Sequence, residues 1–214
     1  LADPGRAVRL SDPAPPAAVA RLREAVLAAG RGSAGRRYPG SPRLVADRLR
    51  PGDRLVAFEL NPAEASFLRS ALGAADGVSI RSGDGFEAAV SAFPDEGQVL
   101  VLIDPPFERP DDYDRILGTL RAITRRNPSA TVLIWLPVKD LETLDAFIRR
   151  AEDIRPVLVA EARLKPLRGP MRMNGCALVV AAAPEGLESD LVEICGWTVA
   201  RLGEGGQARV WSAG

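Results

Sequence analysis

Three carboxylates, each at the end of an apolar run, are the residues best placed to do chemistry in this chain. They are Glu59 in "AFEL", Asp84 in "SGDG" and Asp104 in "IDPP". One acid at such a place is ordinary, because aspartate is a favoured helix N-cap, and capping alone explains Asp84 as well as function does. Three in succession on one rim of a sheet are harder to explain that way. The spacing suits a nucleoside-type cofactor. A carboxylate after one strand accepts both ribose hydroxyls, and one after the next accepts from an adenine amino group.

Asp104 is followed by Pro105, Pro106 and Phe107, and this tetrad is the most specific signal in the sequence. A purely structural reading is a strand end with a proline-rich turn and an aromatic ring packed on the sheet edge. The chemical reading starts from an exocyclic adenine amine, whose lone pair is delocalised into the ring and is therefore a poor nucleophile. Acceptors aimed at its hydrogens draw the nitrogen towards sp³ geometry and take the departing proton. The Asp104 carboxylate and a main-chain carbonyl of the Pro105–Pro106 turn supply two such acceptors, held in place beforehand because proline fixes φ. Phe107 offers a face for a flipped-out base, a stacking contact worth about 1–3 kcal/mol.

These groups need a frame. "VLVLI" before Asp104 reads as a strand buried on both faces, ended by two prolines that cannot donate to a ladder. The same rhythm runs along the chain. Strands are expected at "DRLVAFEL", "GVSIRSGDG", "QVLVLIDPP" and "ATVLIWLPV". Helices are expected to follow them over 62–72, 86–93, 113–126 and 141–152. This alternation predicts an α/β fold with a doubly wound, mostly parallel sheet. "RPVLVAEARLKP" and "NGCALVVAAAP" are two strand-like runs joined by a short loop, which predicts an antiparallel pair. A helix over 187–195 and a last strand, "QARVWSAG", complete the pattern. Before it, "PPAAVARLREAVLAAG" reads as a helix with proline at its start and glycine at its end. The expected organisation is an N-terminal helical segment and loop over 1–40, then a core over 41–214.

Composition sets limits. The chain has 214 residues, 46% hydrophobic and 26% charged, with a formal net charge of zero, so an anionic partner must be met by a local patch. Histidine is absent, which removes histidine catalysis and most zinc patterns. Cys176 and Cys195 lie in apolar contexts and read as reduced thiols of a cytoplasmic protein. No apolar run approaches the ~18 residues of a membrane span, and no metal site is expected. The glycine-rich turn that follows the first strand of many dinucleotide-binding folds is not visible. "GRGSAG" follows a helix, so its dinucleotide reading is weak.

"IDPPF" resembles motif IV of the amino-methyltransferases that use S-adenosylmethionine (SAM). The wider pattern is similar to the RlmJ family, which methylates N6 of an adenine in 23S ribosomal RNA. The matching pieces are "RYPGSP" (Arg37–Pro42), "FELNP" (Phe58–Pro62), "GDGF" (Gly83–Phe86), "LIDPPFE" (Leu102–Glu108) with "DY" (Asp112–Tyr113), "WLPV" (Trp135–Val138) and "MNGCALVV" (Met173–Val180). They occur in the family's order and cover most of the chain. The resemblance implies a Rossmann-like methyltransferase fold, SAM as cofactor, and a ribosomal RNA substrate. It implies cofactor contacts from Ser41, Glu59, Asp84, Gly85 and Asp104, with Asp104 as the proton acceptor. The sequence departs from the family in three ways. The family's N-terminal tail with its "AGxG" cofactor loop has no counterpart here, phenylalanine stands at 107 where tyrosine is common, and "AAAP" stands where "NPP" is expected.

"RLKPLRGPMR" carries Arg163, Lys165, Arg168 and Arg172 with no acid, and falls between the two late strands. It reads either as a solvated hairpin or as a phosphate-contacting loop on the same rim as Asp104. "RGSAGRR" (Arg31–Arg37) is a second basic candidate. The leading expectation is a monomeric SAM-dependent RNA adenine-N6 methyltransferase with no membrane association. An adenine-N6 DNA methyltransferase and a non-catalytic RNA- or partner-binding module on the same fold are the alternatives.

Overall fold

The structure, a computed structural model, describes residues 14–30, 38–72, 75–167 and 173–214. "RGSAGRR", Arg168 and Arg172 lie outside the described residues. The chain divides into two compact units, one over residues 17–92 and one over 93–214 together with 14–16.

The N-terminal unit holds α1 (Ala17–Gly30), α2 (Ser41–Ala46), β1 (Leu55–Glu59), α3 (Pro62–Leu72), β2 (Val78–Ser82) and α4 (Gly85–Ala92). β1 and β2 pair in parallel, from Leu55 opposite Val78 to Glu59 opposite Ser82. A parallel pair needs a crossover, and α3 supplies it. The start of α3 is written in the sequence. Asn61 Oδ1 accepts the Ala63 N–H at 2.9 Å, and Pro62 takes the first helical position, where its missing N–H costs nothing. The helix buries Ala65 and Leu72.

The C-terminal unit holds β3 (Leu100–Ile103), α5 (Asp112–Arg126), β4 (Thr131–Val138), α6 (Leu141–Glu152), β5 (Val157–Arg163), β6 (Gly175–Ala181), α7 (Leu187–Leu202) and β7 (Gln207–Ala213). Its sheet has the order β3-β4-β6-β5-β7. β3 is parallel to β4, and β6 is antiparallel to both β4 and β5, so β3, β4 and β5 all point the same way. Their carboxyl ends form one rim. β5 and β6 are the antiparallel pair expected from the short connection between them, and β7 joins β5 antiparallel at the far edge.

Helices cover both faces of this sheet. Ile116, Leu117, Leu120 and Ile123 form the buried stripe of α5, and Leu144, Phe147, Ile148 and Ala151 that of α6. The alternate β4 residues Val132, Ile134, Leu136 and Val138 are buried with them, all at or below 1% exposure. On the opposite face Leu191 and Cys195 of α7 pack with Leu158, Ala160 and Val180. The chain is therefore α/β and doubly wound, as the alternation predicts. α6 is capped by Asp140, whose Oδ1 accepts the Thr143 N–H at 2.7 Å, and its last turn carries Arg149 and Arg150 against the helix dipole.

Two expectations are corrected. β3 is not buried on both faces: Leu100 is 63% and Leu102 42% exposed. Among the described residues β3 lies at the edge of its sheet, and the face that Leu100 and Leu102 share is left uncovered there. α7 does not stop near Cys195 but continues through Gly196 to Leu202. A glycine inside a helix costs about 1 kcal/mol against alanine, and packing of α7 on β5 and β7 offsets it. Cys176 and Cys195 are free, and burial pushes both thiols up, which keeps them protonated and unreactive. No helix among the described residues is long and apolar enough to cross a membrane.

Candidate active site

In the N-terminal unit Glu59 and Asp84 stand at the carboxyl ends of neighbouring strands. The Gly83 N–H donates to the Glu59 carbonyl at 3.0 Å, which ties the end of β1 to the turn after β2. Gly83 has φ +147°, a conformation that side-chain-bearing residues rarely adopt, so this turn requires glycine. Glu59 Oε1 accepts the Asn61 N–H at 2.9 Å, which fixes the carboxylate and leaves Oε2 without a partner among the described residues. Asp84 Oδ1 accepts the Phe86 N–H at 3.0 Å. The capping role that competes with function for this residue is therefore present. Gly85 opens α4, where an added Cβ would lie 3.4 Å from that of Phe58. Ser41 is exposed at the first position of α2, a short helix that packs on β1 and α3.

In the C-terminal unit Asp104 directly follows β3. It is solvent-accessible, yet the chain around it shields it enough that desolvation raises its carboxyl above the usual range. No hydrogen bond or ion pair engages its carboxylate among the described residues. The segment beyond it is fixed at both ends. Pro105 and Pro106 set two φ angles, and the buried Asp112 Oδ2 accepts the Arg109 N–H at 3.0 Å while the Asp112 N–H returns to the Arg109 carbonyl at 3.2 Å. Between them Phe107 adopts φ +53°, the left-handed region. Its ring centroid lies 5.4 Å from that of Tyr113 and 5.8 Å from that of Trp135. Half-buried in this way, the ring keeps part of its surface in solvent.

Lys139, after β4, and Lys165, after β5, share this rim with Asp104. Asn174, 7% exposed, binds the strand ends together. Its N–H donates to the Val138 carbonyl at 3.0 Å, and its carbonyl accepts from the Leu164 and Lys165 N–H groups at 2.9 and 3.3 Å. Its Nδ2 donates to the Lys139 carbonyl at 3.3 Å. The connection that carries the basic cluster therefore leaves and re-enters the sheet at the rim. Gly175 follows, where an added Cβ would collide with the backbone of Ala162 and Arg163.

Arg163 does not face outwards. Its Nε lies 2.8 Å from Oε1 of the fully buried Glu161, and its Nη2 donates to Gln207 Oε1 at 2.5 Å. An unpaired carboxylate inside the sheet would cost several kcal/mol, so this guanidinium is committed to Glu161 rather than offered to phosphate. Lys165 is exposed, 3.5 Å from Glu204.

Sequence reasoning assigned no role to Asn174, Asp112, Tyr113 or Trp135. Each belongs to a quoted segment, but an asparagine before a strand and aromatics at core spacing carry no individual signal.

Comparison with known proteins supplies the lineage. Residues 7–213 match the family described as "Ribosomal RNA large subunit methyltransferase D, RlmJ". Ribosomal RNA large subunit methyltransferase J of Haemophilus influenzae is 32% identical over 162 residues, 74% of this chain and 58% of that protein. The protein of the same description from Escherichia coli is 28% identical over 170 residues, 78% of this chain and 61% of that protein. The chain thus spans about three fifths of the length of these two relatives. The crystal structure of protein LPL1258 from Legionella pneumophila shares the fold, with a TM-score of 0.80 at 22% identity, covering 99% of this chain and 78% of that one. With nearly every residue inside the family match, the chain belongs to the RlmJ family of ribosomal RNA large subunit methyltransferases.

Proposed function

We propose that residues 41–214, preceded by the segment 1–40, form the core of a SAM-dependent enzyme that methylates N6 of an adenine in 23S ribosomal RNA. The observation that carries this reading is Asp104. It is a carboxylate with no partner among the described residues, raised in proton affinity by desolvation, at a strand end beside two prolines and a partly exposed aromatic ring. A structural cap would be engaged with a backbone N–H. Asp104 is not.

SAM fits the donor set of the N-terminal unit. Glu59 is held by one oxygen and keeps the other for a ribose hydroxyl, and Asp84, Gly85 and Ser41 are the further proposed contacts. When bound, SAM supplies a methyl group activated on a sulfonium. The chain's own residues do the rest. The Asp104 carboxylate and a carbonyl of the Pro105–Pro106 turn accept hydrogen bonds from the adenine amine, which localises the nitrogen lone pair. As the nitrogen takes up the methyl group it sheds a proton, and Asp104 is the acceptor poised to receive it. Phe107 provides the stacking surface for the extruded base.

Lys165, Arg168 and Arg172 are the proposed phosphate contacts, with Arg163 holding the base of their loop through Glu161. The reading is of a cytoplasmic enzyme acting as a monomer. Incubation of the protein and SAM with 23S ribosomal RNA lacking modification, followed by nucleoside mass spectrometry, tests it. N6-methyladenosine in the RNA is the expected product. Methylation of a DNA duplex in preference to the RNA would replace ribosomal RNA by DNA as the substrate.

A further inference from the structure

Phe107 holds a backbone conformation that a bulky side chain avoids. At φ +53° its Cβ crowds the backbone, and such a residue persists only where its surroundings over-determine it. Glycine is the residue that adopts this region without penalty, and the sequence has phenylalanine instead. Something other than backbone preference must therefore keep residue 107 in place.

The ring contacts identify what does. Tyr113, from the first turn of α5, meets the Phe107 ring with planes at 48°, and Trp135 of β4 meets it with planes at 53°. Tyr113 is itself braced edge-on, at 5.9 Å and 62°, by Phe147 of α6, a side chain only 3% exposed. Trp135 shares its sheet face with Leu133 and Leu178, which pack against the α7 cluster. Tyr113 and Phe147 belong to the helices on the other face. The Phe107 ring thus bridges side chains from both layers across the end of the sheet. Ile103 lies opposite Ile134, so Asp104 and Trp135 occupy the next positions on adjacent strands.

We infer that Trp135, supported by Tyr113, is a positioning residue for methyl transfer: it clamps the Phe107 ring, holds residue 107 in the left-handed conformation, and thereby aims Asp104 and the Pro105–Pro106 carbonyls. This rests on the adenine-methylation reading and adds residues to it that do not touch the reacting atoms. The segment from Asp104 to Phe107 has its proline φ angles fixed, so the freedom left to its carbonyls lies in ψ and is limited by how residue 107 is held. Releasing the ring lets residue 107 relax to negative φ and turns those carbonyls away. A 1 Å misplacement of such groups is enough to cost about 100-fold in rate.

The test compares single-turnover methyl transfer to unmodified ribosomal RNA in Trp135→Leu, Trp135→Phe, Phe107→Gly and the double variant Trp135→Leu/Phe107→Gly. Binding of S-adenosylhomocysteine and thermal melting are measured alongside. Trp135→Leu should slow the chemical step about 10- to 100-fold with cofactor-product affinity unchanged, and Trp135→Phe, which keeps a ring, should restore most of the rate. In the Phe107→Gly background, where the left-handed conformation is free, Trp135→Leu should cost little more, a non-additivity that a merely structural tryptophan would not produce. Equal losses in both backgrounds, or a wild-type rate in Trp135→Leu, would overturn the inference. If Trp135→Leu does not fold, Trp135→Met keeps the bulk without the ring, and a wild-type rate there overturns it equally. Asp104→Asn separates the two levels. If that variant retains wild-type rate, the methylation reading itself fails; if it is inactive while Trp135→Leu is normal, only the positioning role is lost.

Discussion

At Asp104, desolvation holds the carboxyl above its usual value of 3.8, with no basic partner among the described residues. The folded protein therefore binds this proton more tightly than the unfolded chain does. Stability falls as pH rises from 3.8 through the folded-state pKa, and the ionised group remains a net cost at neutral pH. Asp104→Asn should accordingly keep or slightly raise the melting temperature at pH 7 while reducing turnover by about 100-fold or more. A melting temperature that drops with the substitution would mark Asp104 as a structural cap. The acid limb of the kcat/KM profile should lie above the ordinary carboxylate range for the same reason. Glu59 presents the opposite case, a carboxylate fixed by the Asn61 N–H and proposed as a cofactor contact. Glu59→Ala should weaken S-adenosylhomocysteine binding by about 1.5–3 kcal/mol, read by calorimetry, and unchanged affinity would remove it from the cofactor site.

The loop after β3 is an element in its own right, closed by the reciprocal pair of bonds between Arg109 and the buried Asp112. Removing that carboxylate in Asp112→Ala should lower stability by about 0.5–2 kcal/mol, as loss of a helix-terminal acceptor does, and should also slow methyl transfer with cofactor affinity retained. Denaturation and single-turnover rates check both halves, and an unchanged rate would uncouple the loop from the chemistry. Most elements were legible in sequence because they advertise themselves locally. The stripe from Ile116 to Ile123 and the Asn61–Pro62 start of α3 are local signals. The conformation of Phe107 was not legible, because a phenylalanine carries no sequence mark of positive φ; ring contacts from β4 and α5 impose it. Nor was the exposure of Leu100 and Leu102, since an apolar run reads the same whether or not another element covers its face.

At the scale of the whole molecule, sequence reasoning reached the α/β class and the antiparallel late strands but not the strand order. The insertion of β6 between β4 and β5 depends on pairings between residues 12 to 49 positions apart, which periodicity does not encode. The burial of Arg163 on Glu161 was hidden for the same reason: a basic residue in a basic run looks solvated until its strand neighbours are known. With a formal net charge of zero, the proposed RNA affinity must come from local cations. Changing Lys165, Arg168 and Arg172 together to alanine should flatten the fall of log affinity with log salt by about 0.7–0.9 for each phosphate these side chains neutralise, while cofactor binding stays unchanged. An unaltered slope would make their loop an ordinary hairpin. The most direct measurement is transfer of a tritiated methyl group from SAM to unmodified 23S ribosomal RNA by the wild type and by Asp104→Asn, beside a DNA control. Label should enter adenine N6 of the RNA with the wild type, and be reduced about 100-fold or more in a folded, cofactor-binding Asp104→Asn. Equal labelling by the two proteins would contradict the assignment of Asp104 as the proton acceptor.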